Sequence, residues 1–254
     1  MNAQEHASGM ALGNTDSSPG GTSDSLTDSS VATVMERVPN EPVYHFSSGL
    51  AVLANPGGVI AESVGALRNH ILAGHIRDGR RSLAVCGPSA GAGCSFVATN
   101  LAVATAQAGI KTLLVDANLR NPSLEEYIQT SRQSPGLLQC LSDSNVSLRD
   151  AIRSDVLPQL SLLYSGGTAD SSQELLAGVE FKALIEDCMR DFDLTIVDTT
   201  PTNVSADSRR IASVLRYALM VARRDQSYVS DVRKLAEELQ SDRVTVIGTF
   251  LNDI

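Results

Sequence analysis

LAVCGPSAGAGCSFVATNLA, residues 83–102, breaks a short apolar run with a glycine-rich loop and then resumes as an apolar-periodic segment. That order predicts a strand, a phosphate-binding loop and a helix. The first amides of a helix have no intrahelical partner and the helix dipole is positive there, so the N–H groups of Gly91 to Ser95 form an expected cradle for an anion. Gly91 and Gly93 let the backbone come close to phosphate oxygens. The usual loop, G-x-x-x-x-G-K-S/T, adds a Lys that reaches the terminal phosphates and a hydroxyl that holds Mg²⁺. In this chain Ser95 supplies the hydroxyl, but Cys94 stands where the Lys would be. Two readings of Cys94 stay open: a thiol made acidic by the helix N-terminus, or a buried, inert thiol filling the space of the Lys stem.

Outward from this stretch, strands and helices alternate. Apolar spacing predicts a helix over Val59–Ile76 before the loop and another over Phe96–Ala108 after it. KTLLVD (111–116) and DLTIVD (193–198) read as buried strands that each end in a carboxylate, and Leu160–Tyr164 as a third. Two or three short helices are expected within Ser123–Asp155, then helices over Gln173–Met189, Ser205–Val214 and Val229–Leu239. Tyr217–Ala222 and Val244–Leu251 complete the strands. Strands apolar enough to be buried on both faces, separated by helices, predict an α/β fold: a mostly parallel sheet with helices on both faces. Right-handed crossovers bring the loops after Val85, Val115 and Val197 to one edge, where open α/β sheets bind ligands. That edge collects the glycine-rich loop, Ser95, Asp116 and Asp198. Two carboxylates and a hydroxyl beside a phosphate cradle suit Mg²⁺, which takes oxygen ligands. A dinucleotide fingerprint fits less well, because Phe96 occupies its third glycine position and the loop from Gly87 to Gly93 is too long.

Composition bounds the rest. With 254 residues, 43% hydrophobic, and a mean hydropathy of -0.01, the chain can bury one substantial core. A net charge of -9 argues against a nucleic-acid partner. Apolar runs fall short of the roughly 20 residues that span a bilayer, and no signal peptide is recognisable, so a cytoplasmic location is expected. Four scattered cysteines suggest neither a zinc site nor a disulfide framework. The histidines His6, His45, His70 and His75 form no site, and no G-x-S-x-G elbow occurs. Residues 1–56, rich in Ser, Gly and Asp, are expected to be a disordered tail before a domain at 57–254. Within that tail Pro42–Ala54 carries an apolar cluster that could equally dock as a short strand.

From Ile60 to Asn252 the chain resembles the cytosolic domain of bacterial tyrosine autokinases, the partners of polysaccharide co-polymerases. The resemblance rests on Gly87–Ser95, on LLVDANLRNP against a D-x-D-x-R motif, on LTIVDTTP against D-T-P-P, and on the terminal IGTFLN. It implies a P-loop NTPase fold of the deviant-Walker type. By position it also implies ATP or ADP with Mg²⁺ at Gly91, Gly93, Cys94, Ser95, Arg120 and Asn252, with Asn252 near the base. Asp116 and Asp198 would be the catalytic carboxylates and, with Ser95, the metal ligands. A membrane-anchored co-polymerase, or chain-length determinant, is the implied partner at the inner membrane, and the helix bearing Glu62 and Arg68 an implied surface for self-association. The departures are Cys94 for Lys, Asn118 for the second acid, Thr200 for the first Pro, and Gly65 in the middle of E-x-x-R-x-x-R. The chain also stops at Ile254 without the family's Tyr-rich tail. The expectation is therefore a degenerate member, binding nucleotide weakly and regulating exopolysaccharide or capsule chain length or export. An active autokinase and a partitioning or positioning ATPase are the alternatives.

Overall fold

The computed structural model describes residues 42–253; the disorder expected of residues 1–41 lies outside them. A short strand β1 (Tyr44–Phe46) and a single turn α1 (Ala51–Ala54) precede α2 (Val59–His70), which runs on as a π-helical segment, Ile71–Ile76. Next come β2 (Ser82–Cys86), α3 (Cys94–Gln107), β3 (Thr112–Asp116), α4 (Leu124–Tyr127) and β4 (Ile128–Thr130). They are followed by α5 (Leu137–Ser142), α6 (Leu148–Ala151), β5 (Arg153–Leu157), β6 (Leu160–Leu163), α7 (Ser172–Ala177) and α8 (Val179–Asp191). The chain ends with β7 (Leu194–Asp198), α9 (Asp207–Leu215), β8 (Tyr217–Arg223), α10 (Val229–Ser241) and β9 (Thr245–Asn252).

Seven strands form one sheet in the order β5-β6-β3-β7-β2-β8-β9, parallel throughout except for β5 at one edge. β2, β3, β6 and β7 are buried at every position, because helices cover both faces as the continuous apolar runs require. On one face α3 lies against the centre of the sheet. Its Ala98, Ala102, Ala104 and Ala106 are small enough for close approach, and Val97, Leu101 and Val103 fill the space between. A second core, with Phe181, Ile185, Ile211 and Leu235, covers the other face.

The folded unit begins earlier than residue 57. β1 pairs antiparallel with β4, and Leu50 and Val52 are buried. Asn100, buried in α3, accepts from Val52 N (3.2 Å) and donates to Gly49 O (3.0 Å). The segment Pro42–Ala54 thus docks, and the boundary expected at 56 moves ahead of Tyr44, since distant partners satisfy backbone groups that the segment cannot satisfy alone. Two other expectations are corrected. The helix over Gln173–Met189 is two helices, interrupted where Gly178 adopts an extended conformation (ψ 160°). The antiparallel edge strand β5 overlaps the end of the stretch read as helical, Ser123–Asp155, and it is irregular, with Asp155 at φ 54°. Among the described residues no helix is long and apolar enough to cross a membrane.

Gly65 sits within α2 with no strained φ, and a Cβ added there meets nothing within 4 Å. Gly65→Ala is therefore expected to stabilise the protein by about 0.5–1 kcal/mol, the usual cost of a helix-interior glycine. A denaturation midpoint that stays put or falls would contradict this.

Candidate functional site

The loop between β2 and α3 follows from three requirements. Gly91 and Gly93 both need positive φ, 79° and 93°. At Gly93 there is a second reason: an added Cβ would lie 2.1 Å from Asn252 Nδ2. That amide donates to Ala92 O (3.1 Å), clamping the loop from the end of β9. On the other side Ala90 N donates to Asn203 Oδ1 (3.2 Å) and Thr202 N to Gly87 O (3.0 Å). The loop then opens on a cleft of about 230 Å³ lined also by Asn118, Ser123, Tyr127 and Thr199–Pro201.

Sheet register brings the two strand-end carboxylates together, Asp116 on β3 opposite Asp198 on β7. Their hydrogen bonding differs. Asp116 is committed: one oxygen accepts from Asn118 N (3.1 Å), the other from Ser123 N and Leu124 N (3.2 Å each), so it shapes the turn into α4. Asp198 Oδ2 accepts from Ser95 Oγ at 2.5 Å, whereas Oδ1 is buried with no partner. Ser123 Oγ donates in turn to Ser95 Oγ (2.8 Å). A carboxylate oxygen lacking a donor, beside two hydroxyls at the end of the glycine-rich loop, is a hard-oxygen donor set that fits Mg²⁺. Among the described residues no group of three or more His, Cys, Asp or Glu side chains is placed to hold a metal, so phosphates and waters would have to complete the shell.

Burial, reinforced by the neighbouring Asp116, pushes the Asp198 carboxyl up to about 8. Burial raises Asp116 to about 6, against the lowering effect of its three amide donors. Metal-free, the folded protein thus holds protons that the unfolded chain would release. Stability from these groups is full below the ordinary carboxylate range and is lost as pH rises through about 6 and about 8. A divalent cation must displace the Asp198 proton, so Mg²⁺-dependent nucleotide affinity is expected to rise about tenfold per pH unit below that value. Calorimetry at several pH values checks this; a flat profile would mean that Asp198 is not a ligand.

Cys94 opens α3, is buried, and its Sγ lies beneath the loop, 2.6 Å from where a Cβ on Gly87 would be. Burial, then the Asp198 charge, hold its thiol well above the usual value. The acidic-thiol reading is therefore corrected, since desolvation outweighs the helix N-terminus. Alkylation is expected to be slower at Cys94 than at the partly exposed Cys140. Faster labelling of Cys94 would restore the discarded reading.

Two departures from the motifs meet. Asn118 Oδ1 accepts from Thr200 Oγ1 (2.8 Å) and Asn121 N (3.2 Å), and its Nδ2 donates to Asn121 O (2.7 Å). The second-acid position is thus closed in a neutral network. Arg120, expected to face phosphate, lines the cleft, and its Nε is on Asp207 Oδ2 at 2.9 Å, where Ser172 Oγ donates to the same oxygen (3.0 Å). Glu62 and Arg68 lie on α2 and take no part in the site; Arg68 donates to Asn69 Oδ1. Sequence reasoning missed Ser123, Asn203 and Asp207, which reach the site only through sheet register and long-range contact.

No protein-family model matches the chain. The tyrosine-protein kinase CpsD of Streptococcus agalactiae is 31% identical over 172 residues, 68% of this chain and 75% of CpsD. EpsB of Ralstonia solanacearum is 32% identical over 174 residues, 68% of this chain but 23% of EpsB, so the chain spans about a quarter of that relative's length. Among solved structures, the kinase domain of the Escherichia coli tyrosine kinase Etk superposes with a TM-score of 0.74 at 25% identity, covering 81% of this chain and 80% of that one.

Proposed function

The chain belongs to the bacterial tyrosine-protein kinase family, and from that premise we propose that it is a nucleotide-binding member with weakened phosphoryl transfer, serving as the regulatory partner of a membrane polysaccharide co-polymerase. In this reading it controls exopolysaccharide or capsule chain length or export from the cytoplasmic side of the inner membrane. One observation carries it: a loop with Gly91 and Gly93 at positive φ and the Ser95–Asp198 pair flank a buried cysteine at the position of the phosphate-binding lysine.

Amides of Gly91 and of Gly93 to Ser95 would receive the phosphates of ATP or ADP, while Ala92 N donates to Ser89 O (3.3 Å) within the loop. Asn252, whose buried Oδ1 has no donor, would face the base. Ser95 and Asp198 would hold Mg²⁺, which when bound neutralises charge on the phosphate oxygens. Asp116 keeps the strand-end loop in place rather than offering a free oxygen. Phosphoryl transfer rests on positioning and charge stabilisation, so a missing cation costs on the order of a hundredfold to a thousandfold in rate. The exposed Glu62 and the open surface at Gly65 leave α2 available to a partner or a second copy.

ATP turnover, phosphotyrosine blotting and co-purification with the co-polymerase test the proposal together. Slow turnover, no phosphotyrosine, a co-purifying partner and altered polysaccharide length on gene deletion are expected. An unaltered polysaccharide would overturn it. A second reading, a working autokinase, is favoured by the retained Ser95–Asp198 pair. Turnover at the rate of an intact relative would select it.

A further inference from the structure

Arg153 opens β5 at the outer edge of the sheet, opposite Leu162 of β6, and is only 9% exposed. Its Nη1 makes two long contacts, to Ala151 O at 3.4 Å and Asp150 O at 3.5 Å, and its Nε is buried with no partner. Among the described residues Nη2 has no acceptor, and no carboxylate lies within salt-bridge distance of the guanidinium. A cation taken out of water is costly unless an anion meets it. Arg153 lines a groove of about 1060 Å³, and the exposed Arg132 lines it too, again with no carboxylate partner among the described residues. Burial, with the charge of Arg132 acting in the same direction, lowers the Arg153 guanidinium from its usual value. Gln129, Gln133, Glu125 and Glu126 also face the groove. Ser123 lines both this groove and the cleft at the glycine-rich loop, so the two adjoin.

We infer that the groove binds a sugar carrying a phosphate or carboxylate group, its oxyanion on Arg153 and Arg132 and its hydroxyls on the amide and carboxylate side chains around them. Guanidinium groups receive an oxyanion in planar, charge-assisted geometry, and the open donors of Arg153 have no other claimant among the described residues. The groove is far larger than a lone phosphate, so the ligand has a further body. That body is hydroxyl-rich, because Gln amides both donate and accept while Glu carboxylates accept from hydroxyls. Glu125 and Glu126 also repel a ligand that is anionic throughout, which confines its charge to the arginine end. Arg132 and Arg153 belong to no sequence motif, and the inference does not rest on the nucleotide reading.

The test is calorimetric titration of the full chain with inorganic phosphate, a hexose phosphate, a hexuronate and a neutral hexose, comparing the parent with Arg153→Met and Arg132→Ala. Mg-ATP is titrated alongside to keep the two sites apart. The parent is expected to bind the hexose phosphate or the hexuronate more tightly than inorganic phosphate, and the neutral hexose hardly at all. Whichever of the two binds tighter identifies the oxyanion. Arg153→Met should weaken that ligand about tenfold to a hundredfold and Arg132→Ala about tenfold, with Mg-ATP unchanged in both. Without ligand, Arg153→Met should unfold at the parental temperature or above it, since an apolar stem of similar length replaces an unpaired buried cation. Should Arg153→Met not fold, the exposed position of Arg132→Ala still decides. A parent that binds none of the charged probes overturns the inference. Binding that both variants leave unaltered would lie on the glycine-rich loop instead, and equal affinity for the neutral hexose would remove the role of the arginines; either result overturns it as well.

Discussion

Gly93→Ala is expected to abolish nucleotide binding and to destabilise the fold by about 2–4 kcal/mol. Two costs combine. The φ of 93° strains any residue that has a Cβ, and that Cβ would lie 2.1 Å from Asn252 Nδ2. To make room, Asn252 must release Ala92 O, which breaks a buried hydrogen bond and frees the loop from β9. The amides of the cradle then lose their common direction. The same exchange at Gly65 is expected to stabilise, because neither cost applies there. Denaturant unfolding and Mg-ATP calorimetry measure both effects. In an Asn252→Ala background the steric part disappears and only backbone strain remains, so the two substitutions should couple by about 1 kcal/mol or more. Simple additivity would mean that Asn252 swings aside freely and does not dictate the glycine.

What could be read from sequence was whatever a local pattern encodes. β2, β3 and β7 were legible because SLAVC, TLLVD and LTIVD are apolar nearly throughout, and the loop because glycines break such a run before a helix. β4 and β5 were not, and β1 was legible only as one of two readings of Pro42–Ala54, since three-residue strands and an irregular edge carry no period and depend on partners far along the chain. The helix break at Gly178 was hidden by flanks that are helical on both sides. The same division runs through the site. Ser95 and Asp198 follow from motif order, but the state of Arg120 does not, because its carboxylate partner is 87 residues away. Cys94 was open to misreading for a physical reason: a helix N-terminus can be seen in sequence, whereas the burial that overrides it cannot.

Cys94→Lys is expected to tighten Mg-ATP binding about tenfold to a hundredfold, the equivalent of a charge-assisted contact worth roughly 1.5–3 kcal/mol. The glycine-rich loop and Ser95 are already in place, and the new stem has to leave the pocket under Gly87 that Sγ now fills. Turnover should recover far less, because Asn118 is not an acid. Replacing it is not enough either. The carboxylate introduced by Asn118→Asp would still receive Thr200 Oγ1 and Asn121 N, the two donors that now satisfy Asn118 Oδ1, and would stay bound to them instead of serving metal or nucleophile. Removing the hydroxyl with Thr200→Pro frees one of those lone pairs. Combined Cys94→Lys, Asn118→Asp and Thr200→Pro is therefore expected to turn over ATP on the order of a hundredfold faster than the parent, and Cys94→Lys with Asn118→Asp much less. Equal rates with and without Thr200→Pro would show that the Thr200 hydroxyl does not hold the acid. Binding by Cys94→Lys no tighter than by the parent would mean that the loop is no longer a phosphate cradle, and the nucleotide reading of this sheet edge would have to be given up.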